Sequence, residues 1–391
     1  MRKITTTLCF VLLAFFAKAQ GNWNYAGQTN NFISTGMPIL MISPDAISAA
    51  MGDAGVASTP DANSTHWNNA KFAFTQDKMA VTTTYTPWLR NLGVSDMNLL
   101  YLGGYRRLND RSAVAASLTY FSLGEINSTG ETGEDKGTFF PNEFAVDVTY
   151  AMKLGDNLSL GATGRYMRDD LTNGQDVEHQ STKAANALSA DVGLYYQQTI
   201  DKNQSVAAGV HISNLGSKLR YSDDDTESEF LPANFRIGGR YTYLVDDYNK
   251  INFILDLNKL LVPTPPVKDE DGNYISKYYS NMAEYNQTGS VQGAINSFFD
   301  APGGLKEEIS EFTVNAGAEY WYQETFAGRI GYFFEPSSKG GRQYLTLGFG
   351  LRYNIFTFDF SYLLPTTTIA NNPLANTIRI SIAANFANSK K

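Results

Sequence analysis

The chain has 391 residues, 31 Lys and Arg against 39 Asp and Glu, a formal net charge of −8 and a mean hydropathy of −0.27. That balance offers no basic face for a phosphate backbone, so no nucleic acid is expected as a partner. Beyond the N-terminus no apolar run approaches the roughly 20 residues a helix needs to cross a bilayer, whereas a barrel hides its apolar surface by alternation and suits such an average.

Taken from the start, Arg2 and Lys3 precede an apolar run from Leu8 to Phe16 and then Ala17-Lys18-Ala19. The pattern predicts a secretory signal peptide over 1–19, cut after Ala19. Cys9, the only cysteine, lies inside it, so no disulfide chemistry is expected afterwards.

Residues 20–78 precede the first alternating stretch and are expected to form an N-terminal plug inside a lumen that side chains alone would not fill. Their most motif-like parts are Met51-Gly52-Asp53-Ala54-Gly55-Val56-Ala57 and Asp61-Ala62-Asn63-Ser64-Thr65-His66-Trp67-Asn68. Gly52, Gly55 and the alanines let backbone pack closely, and Asn63 and Asn68 can tie turns through their side chains. A helical turn over 62–70 is expected to set Trp67 against a wall.

From residue 79 onward one pattern repeats: about ten residues alternating apolar with small or polar side chains, then a turn. In 376–386, Ile378, Ile380, Ile382, Ala384 and Phe386 share one face, and Thr377, Arg379, Ser381, Ala383 and Asn385 the other. Lipid suits the first face and a wet lumen the second. About fourteen such segments are found, near 79–88, 97–107, 112–123, 142–154, 157–168, 187–199, 204–213, 233–244, 250–259, 311–323, 326–335, 342–351, 355–363 and 376–386. Short links alternate with long ones, as periplasmic turns alternate with outer loops. The fold expected over 79–391 is therefore all-β, a 14-stranded antiparallel transmembrane β-barrel.

The inward face collects Asp147, Arg165, Asp191, His211, Arg236, Arg240, Asp256, Glu319, Arg329, Asp359 and Arg379. Both signs occur, which predicts a lattice of lumenal ion pairs rather than an ion-selective ring. Connection 260–310, at ~50 residues, exceeds an ordinary loop and is expected to be functional if ordered. Its Tyr278, Tyr279, Phe298 and Phe299 are aromatic where water is expected, and mark either candidate contacts for cargo or another partner or a segment folded onto the barrel rim. His66, His179 and His211 have no metal-site spacing, and no nucleophile arrangement is found, so neither metal, cofactor nor enzymatic activity is expected.

The two plug motifs resemble those of the PorV family, outer-membrane barrels of the type IX secretion system, and more broadly of FadL-like barrels, which have fourteen strands and an N-terminal plug. The likeness continues through Leu257-Asn258-Lys259-Leu260-Leu261-Val262-Pro263-Thr264-Pro265, Asn315-Ala316-Gly317-Ala318-Glu319-Tyr320-Trp321-Tyr322, Gly328-Arg329-Ile330-Gly331-Tyr332-Phe333-Phe334-Glu335-Pro336 and Asn372-Pro373-Leu374-Ala375-Asn376-Thr377. The chain departs from many relatives at Asn69, where proline would follow Trp67-Asn68. The resemblance implies a carrier in the outer membrane. It would bind the C-terminal signal domain of secreted cargo at a SprA-type translocon and bring it to a PorU-type sortase, which attaches it to lipopolysaccharide. An alternative role is FadL-like transport of hydrophobic small molecules.

Overall fold

The computed structural model describes residues 33–90, 93–129, 134–172, 182–222, 228–268, 271–366 and 374–387. The expected leader, the plug before residue 33 and His179 lie outside the described residues.

Fourteen strands form one closed barrel. They are β1 Met79–Pro87, β2 Asn98–Arg107, β3 Ser112–Ser122, β4 Asn142–Lys153, β5 Leu158–Asp170, β6 Ala185–Thr199 and β7 Gln204–Gly216, then β8 Asn234–Leu244, β9 Asn249–Leu260, β10 Phe312–Tyr322, β11 Phe326–Phe334, β12 Gln343–Tyr353, β13 Phe356–Pro365 and β14 Ile378–Phe386. Each pairs antiparallel with the next, and β14 closes on β1 from Met79↔Phe386 to Tyr85↔Ile380. β9 has 12 residues, and at roughly 3.3 Å per residue and a tilt of about 40° it spans about 30 Å, the thickness of a hydrocarbon core.

Alternation along β6 shows why these sequences make this wall. Leu188, Val192 and Leu194 are exposed on the outside, while Ala187, Ser189, Asp191 and Tyr195 are buried inside. Among the described residues no helix is long and apolar enough to cross a membrane, so the strands do the crossing. Four strands run two or more residues longer than the alternation predicts at the ends joined by the long connections: β5 to Asp170, β6 from Ala185, β7 to Gly216 and β13 to Pro365.

Among the barrel pairings one register shift is present. The β6–β7 ladder steps from Val192↔Ile212 to Ala190↔Leu215, leaving Ser213 and Asn214 opposite Asp191 alone. Asn214 takes a left-handed backbone (φ 61), and its N–H donates to the Asp191 carboxylate at 2.8 Å. This β-bulge is held by Arg165, which lies 2.5 Å from Asp147 and 3.0 Å from Asp191. A second lumenal cluster places Arg329 2.7 Å from both Glu319 and Asp359. Both clusters are cross-strand pairs on the inward face, as the mixed signs predicted.

Residues 33–78 fill the lumen. A 3-10 turn, Pro38–Met41, leads to short helices Ala46–Ala49 and Ser64–Trp67 and a second 3-10 turn, Asn69–Phe74. The long connections carry three two-stranded hairpins outside the barrel sheet and, in the 261–311 connection, helices Met282–Gln287, Ser290–Asn296 and Leu305–Ser310.

Candidate functional site

Two regions carry the candidate residues: the plug in the lumen and the 261–311 connection at one rim of the barrel.

The plug is gripped by hydrogen bonds from side chains of distant strands. Gly55 and Val56 both donate their backbone N–H to Asp256 of β9, at 2.6 and 2.9 Å. Gly52 N–H donates to Thr346 of β12 at 2.9 Å, and the Asn315 side-chain amide of β10 donates to the Gly52 and Asp53 carbonyls at 2.7 and 3.1 Å. Tyr344 O–H donates to the Asp53 carboxylate at 2.5 Å, and the Arg379 guanidinium to the Ser43 carbonyl at 3.0 Å. The isolated inward charges thus do two jobs. Some pair across the wall, while Asp256, Arg379 and Arg236, which donates to the His66 carbonyl at 2.9 Å, satisfy plug backbone. Buried amides and carbonyls need such partners.

Trp67 packs within the plug as well as beside the wall. Its ring lies on Gly55 of the plug itself, where a Cβ would come within 2.3 Å of Trp67 Cδ2, and its Nε1–H donates to Asp45 at 2.6 Å. From the wall, the Arg236 guanidinium of β8 lies 5.5 Å from its centroid. Gly55 is small enough to let the indole pack against plug backbone. Asn63 bonds within its own turn, to Asp61 at 3.4 Å. Asn68 accepts from Ala70 N–H at 3.1 Å while donating to the Leu194 carbonyl of β6 at 2.9 Å. At the position where proline was expected, the Asn69 side chain donates to Thr163 of β5 at 2.9 Å, a wall contact that proline cannot make. Met51 is buried beside Ala54 and Ile254.

The wall accommodates the plug by omitting side chains. On β10–β12, a Cβ at Gly317 would lie 2.5 Å from Met51 Cβ, at Gly331 2.0 Å from Gly52 N, and at Gly348 2.4 Å from Ala50 Cβ. On β5–β7, a Cβ at Gly161 would lie 2.5 Å from Ala70 N, at Gly193 2.3 Å from the Asn68 side chain, and at Gly209 2.7 Å from the Val56 carbonyl. Gly317 pairs with Gly331, and Gly161 with Gly193, so each track is a stretch of bare backbone two or three strands wide. At Gly52 the fit is reciprocal: its φ is +70°, and a Cβ would meet Tyr332 backbone at 2.6 Å. The six wall glycines all fall at inward positions, a signal present in the sequence that the strand reading did not use.

In the 261–311 connection the four candidate aromatics separate. Tyr279 is buried with Phe230, Val262 and Tyr285 and belongs to the connection's own core, contrary to the exposed contact expected of it. Tyr278, Phe298 and Phe299 are exposed. Lys277 joins two of them, its ammonium 5.2 Å from the Tyr278 ring and 5.9 Å from the Phe299 ring. Beside them a shallow cavity of about 630 Å³ is lined by Tyr274, Ser276, Lys277 and Tyr278.

Buried charge fastens the connection. Lys259 pairs with Glu308 at 3.2 Å and with Glu311, and Lys339 of the 335–342 connection lies 2.6 Å from Glu307 and 3.0 Å from Glu311. Asp300 accepts from Thr264 N–H at 2.9 Å and from its hydroxyl at 3.1 Å. Burial, reinforced by nearby Glu311 and Glu308, pushes its carboxyl up to about 7.

Among solved structures, the toluene transporter TodX of P. putida shares 11% identity and a TM-score of 0.50, over 88% of this chain and 99% of that one. The toluene transporter TbuX of Ralstonia pickettii shares 12% over 88% and 98%, with a TM-score of 0.46. A FadL homologue of Pseudomonas aeruginosa shares 12% over 91% and 100%, with a TM-score of 0.43. At such identities the likeness concerns the fold alone. No curated protein sequence matches the chain. The family model "Type IX secretion system protein PorV" matches residues 25–267, more than half of the chain and all of the described plug. With the closed fourteen-stranded wall and its plug, that match settles the family: the chain belongs to the PorV proteins of the type IX secretion system, β-barrels of the outer membrane.

Proposed function

We propose that this protein is a carrier rather than a catalyst: its extracellular connections take the C-terminal signal domain of secreted cargo from a SprA-type translocon and present it to a PorU-type sortase for attachment to lipopolysaccharide. Membership of the PorV family carries this reading. The 261–311 connection supports it, being folded, extracellular and aromatic at Tyr278, Phe298 and Phe299. The filled lumen supports it too, because it leaves the outer surface as the place where a polypeptide can bind.

Deleting residues 265–305 tests the assignment. The barrel is expected to fold and keep its heat-modifiable mobility, while cargo no longer reaches the cell surface and no longer copurifies with the tagged barrel. Normal surface display by that variant would refute it. The alternative, passage of hydrophobic small molecules, draws on the fold shared with a toluene transporter and requires the plug to leave its seat. Hydrophobic uptake that disappears with the protein while secretion continues would favour it.

A further inference from the structure

The surface of the 261–311 connection contains a second feature, separate from the aromatic group around Lys277. On β9, Asn252, Asp256 and Asn258 point into the lumen, and Phe253, Leu255 and Leu257 point outward, where they are exposed. Lys259 continues the outward series. It pairs in register with Phe235 of β8 and Phe312 of β10, also outward, yet it is only 1% exposed. Its cover is the connection itself: Glu308 and Glu311 neutralise it, and the Phe298 and Phe312 rings lie 5.8 and 5.6 Å from its ammonium.

The helices therefore lie over the outside of the wall at its extracellular rim. Phe298 meets Phe235 edge-to-face at 6.2 Å, and Ala294 packs with Ile212 and Phe235, which are lipid-side residues of β7 and β8. Lys339 ties Glu307 and Glu311 to the neighbouring 335–342 connection. Charge is thus turned inward against the wall.

What faces away is apolar. Val291 and Ile295, one turn apart on helix Ser290–Asn296, are 60% and 57% exposed; Leu305 and Ile309, one turn apart on Leu305–Ser310, are 77% and 63% exposed. These values match lipid-side residues of the strands, such as Val148 at 65% and Leu188 at 66%.

We propose that these two helices rest in the outer leaflet, with Val291, Ile295, Leu305 and Ile309 against lipid acyl chains, so that the connection extends the barrel's lipid-facing band around β7 to β10. Continuity with that band selects lipid as the occupant: the helices seat on wall residues that already face it, and an interfacial helix presents just such an apolar side. The proposal rests on the outer-membrane location and is independent of what the protein carries.

Site-directed nitroxide labelling tests it. Cys9 is the only cysteine, so Leu305→Cys, Ile309→Cys and Val291→Cys are each made with Cys9→Ser, labelled, and reconstituted into phosphatidylethanolamine–phosphatidylglycerol vesicles. Leu255→Cys serves as the lipid-side reference and Ser280→Cys, on the exposed surface of the connection, as the aqueous one. Collision with oxygen is expected to exceed collision with a water-soluble nickel chelate several-fold at the helix positions, as at Leu255. Nickel-dominated collision resembling Ser280 would overturn the proposal, and so would exclusion of both reagents, which would mean that protein, a second copy included, covers this face.

Discussion

Gly331→Ala is the smallest change that tests how the plug is held. The new methyl would start 2.0 Å from Gly52 N and 2.1 Å from the Met51 carbonyl carbon, whereas carbon contacts settle at roughly 3.5–4.0 Å. Both opposing groups are backbone, so the plug must retreat by about 1.5 Å to restore contact distance. That retreat breaks the bond from Gly52 N–H to Thr346 and those from Asn315 to the Gly52 and Asp53 carbonyls. At about 1 kcal/mol each the loss is about 3 kcal/mol, on the order of a 100-fold rise in local opening. Native-state hydrogen exchange over peptides covering 45–60 measures that opening directly. Gly328→Ala on the same strand is the control, because a Cβ there meets nothing within 4 Å and the change in strand propensity is the same. Equal plug protection in the two variants would refute the bare-backbone seat.

Lys259→Ala leaves Glu308 and Glu311 buried with one cation fewer, a loss of about 3 kcal/mol, at the low end for a broken buried pair because Lys339 still reaches Glu311. Protease cleavage within 261–311 should accelerate on intact cells while the barrel band on gels is unchanged. Asp300 has a folded value raised to about 7 against an ordinary 3.8, so the folded connection holds its proton more tightly than the unfolded chain does. Its contribution is complete at low pH and is lost as pH rises through about 7. The same protease assay should therefore show protection weakening from about pH 4 to about pH 7 and level above that, a slope flattened by Asp300→Asn, which can still accept from Thr264; an unchanged slope would contradict the assignment. Arg165→Leu strands Asp147 and Asp191 in the wall, costing about 3–5 kcal/mol, and should lower the temperature at which the folded gel band converts to the unfolded one.

Every barrel strand was legible in the sequence because lipid on one side and a small-residue lumen on the other enforce a period of two along it; the six short strands of the outer hairpins, which have no such two-sided setting, were not. That period also sorts inward from outward charges, which is why the Asp147, Arg165, Asp191 and the Glu319, Arg329, Asp359 clusters were foreseeable as a class. The bulge at Ser213 and Asn214 was not legible, since it depends on a left-handed residue answering a carboxylate on the next strand. The same limit applies to Trp67, whose place is decided by the absence of a side chain at Gly55 twelve residues earlier. In the long connection, composition revealed aromatics in a watery setting but could not tell Tyr279, turned into a local core, from Phe299, left outside. Lys259 was the least legible of all, because alternation assigns it to lipid and only the later-folding Glu308 and Glu311 explain why a lysine can stand there.

The two glycine tracks have a consequence for how the molecule is made. An empty barrel with this sequence would line its interior with uncovered backbone on β5–β7 and β10–β12 and would leave Asp256, Asn315 and Arg379 without the plug atoms they bind. It would also lose the seam brace at which Ala46 N–H donates to Ser381, itself 2.6 Å from Thr84 across the β1–β14 closure. The seam where the first and last strands meet thus rests on the plug, so the closure of the cylinder and the seating of its filling are one energetic unit.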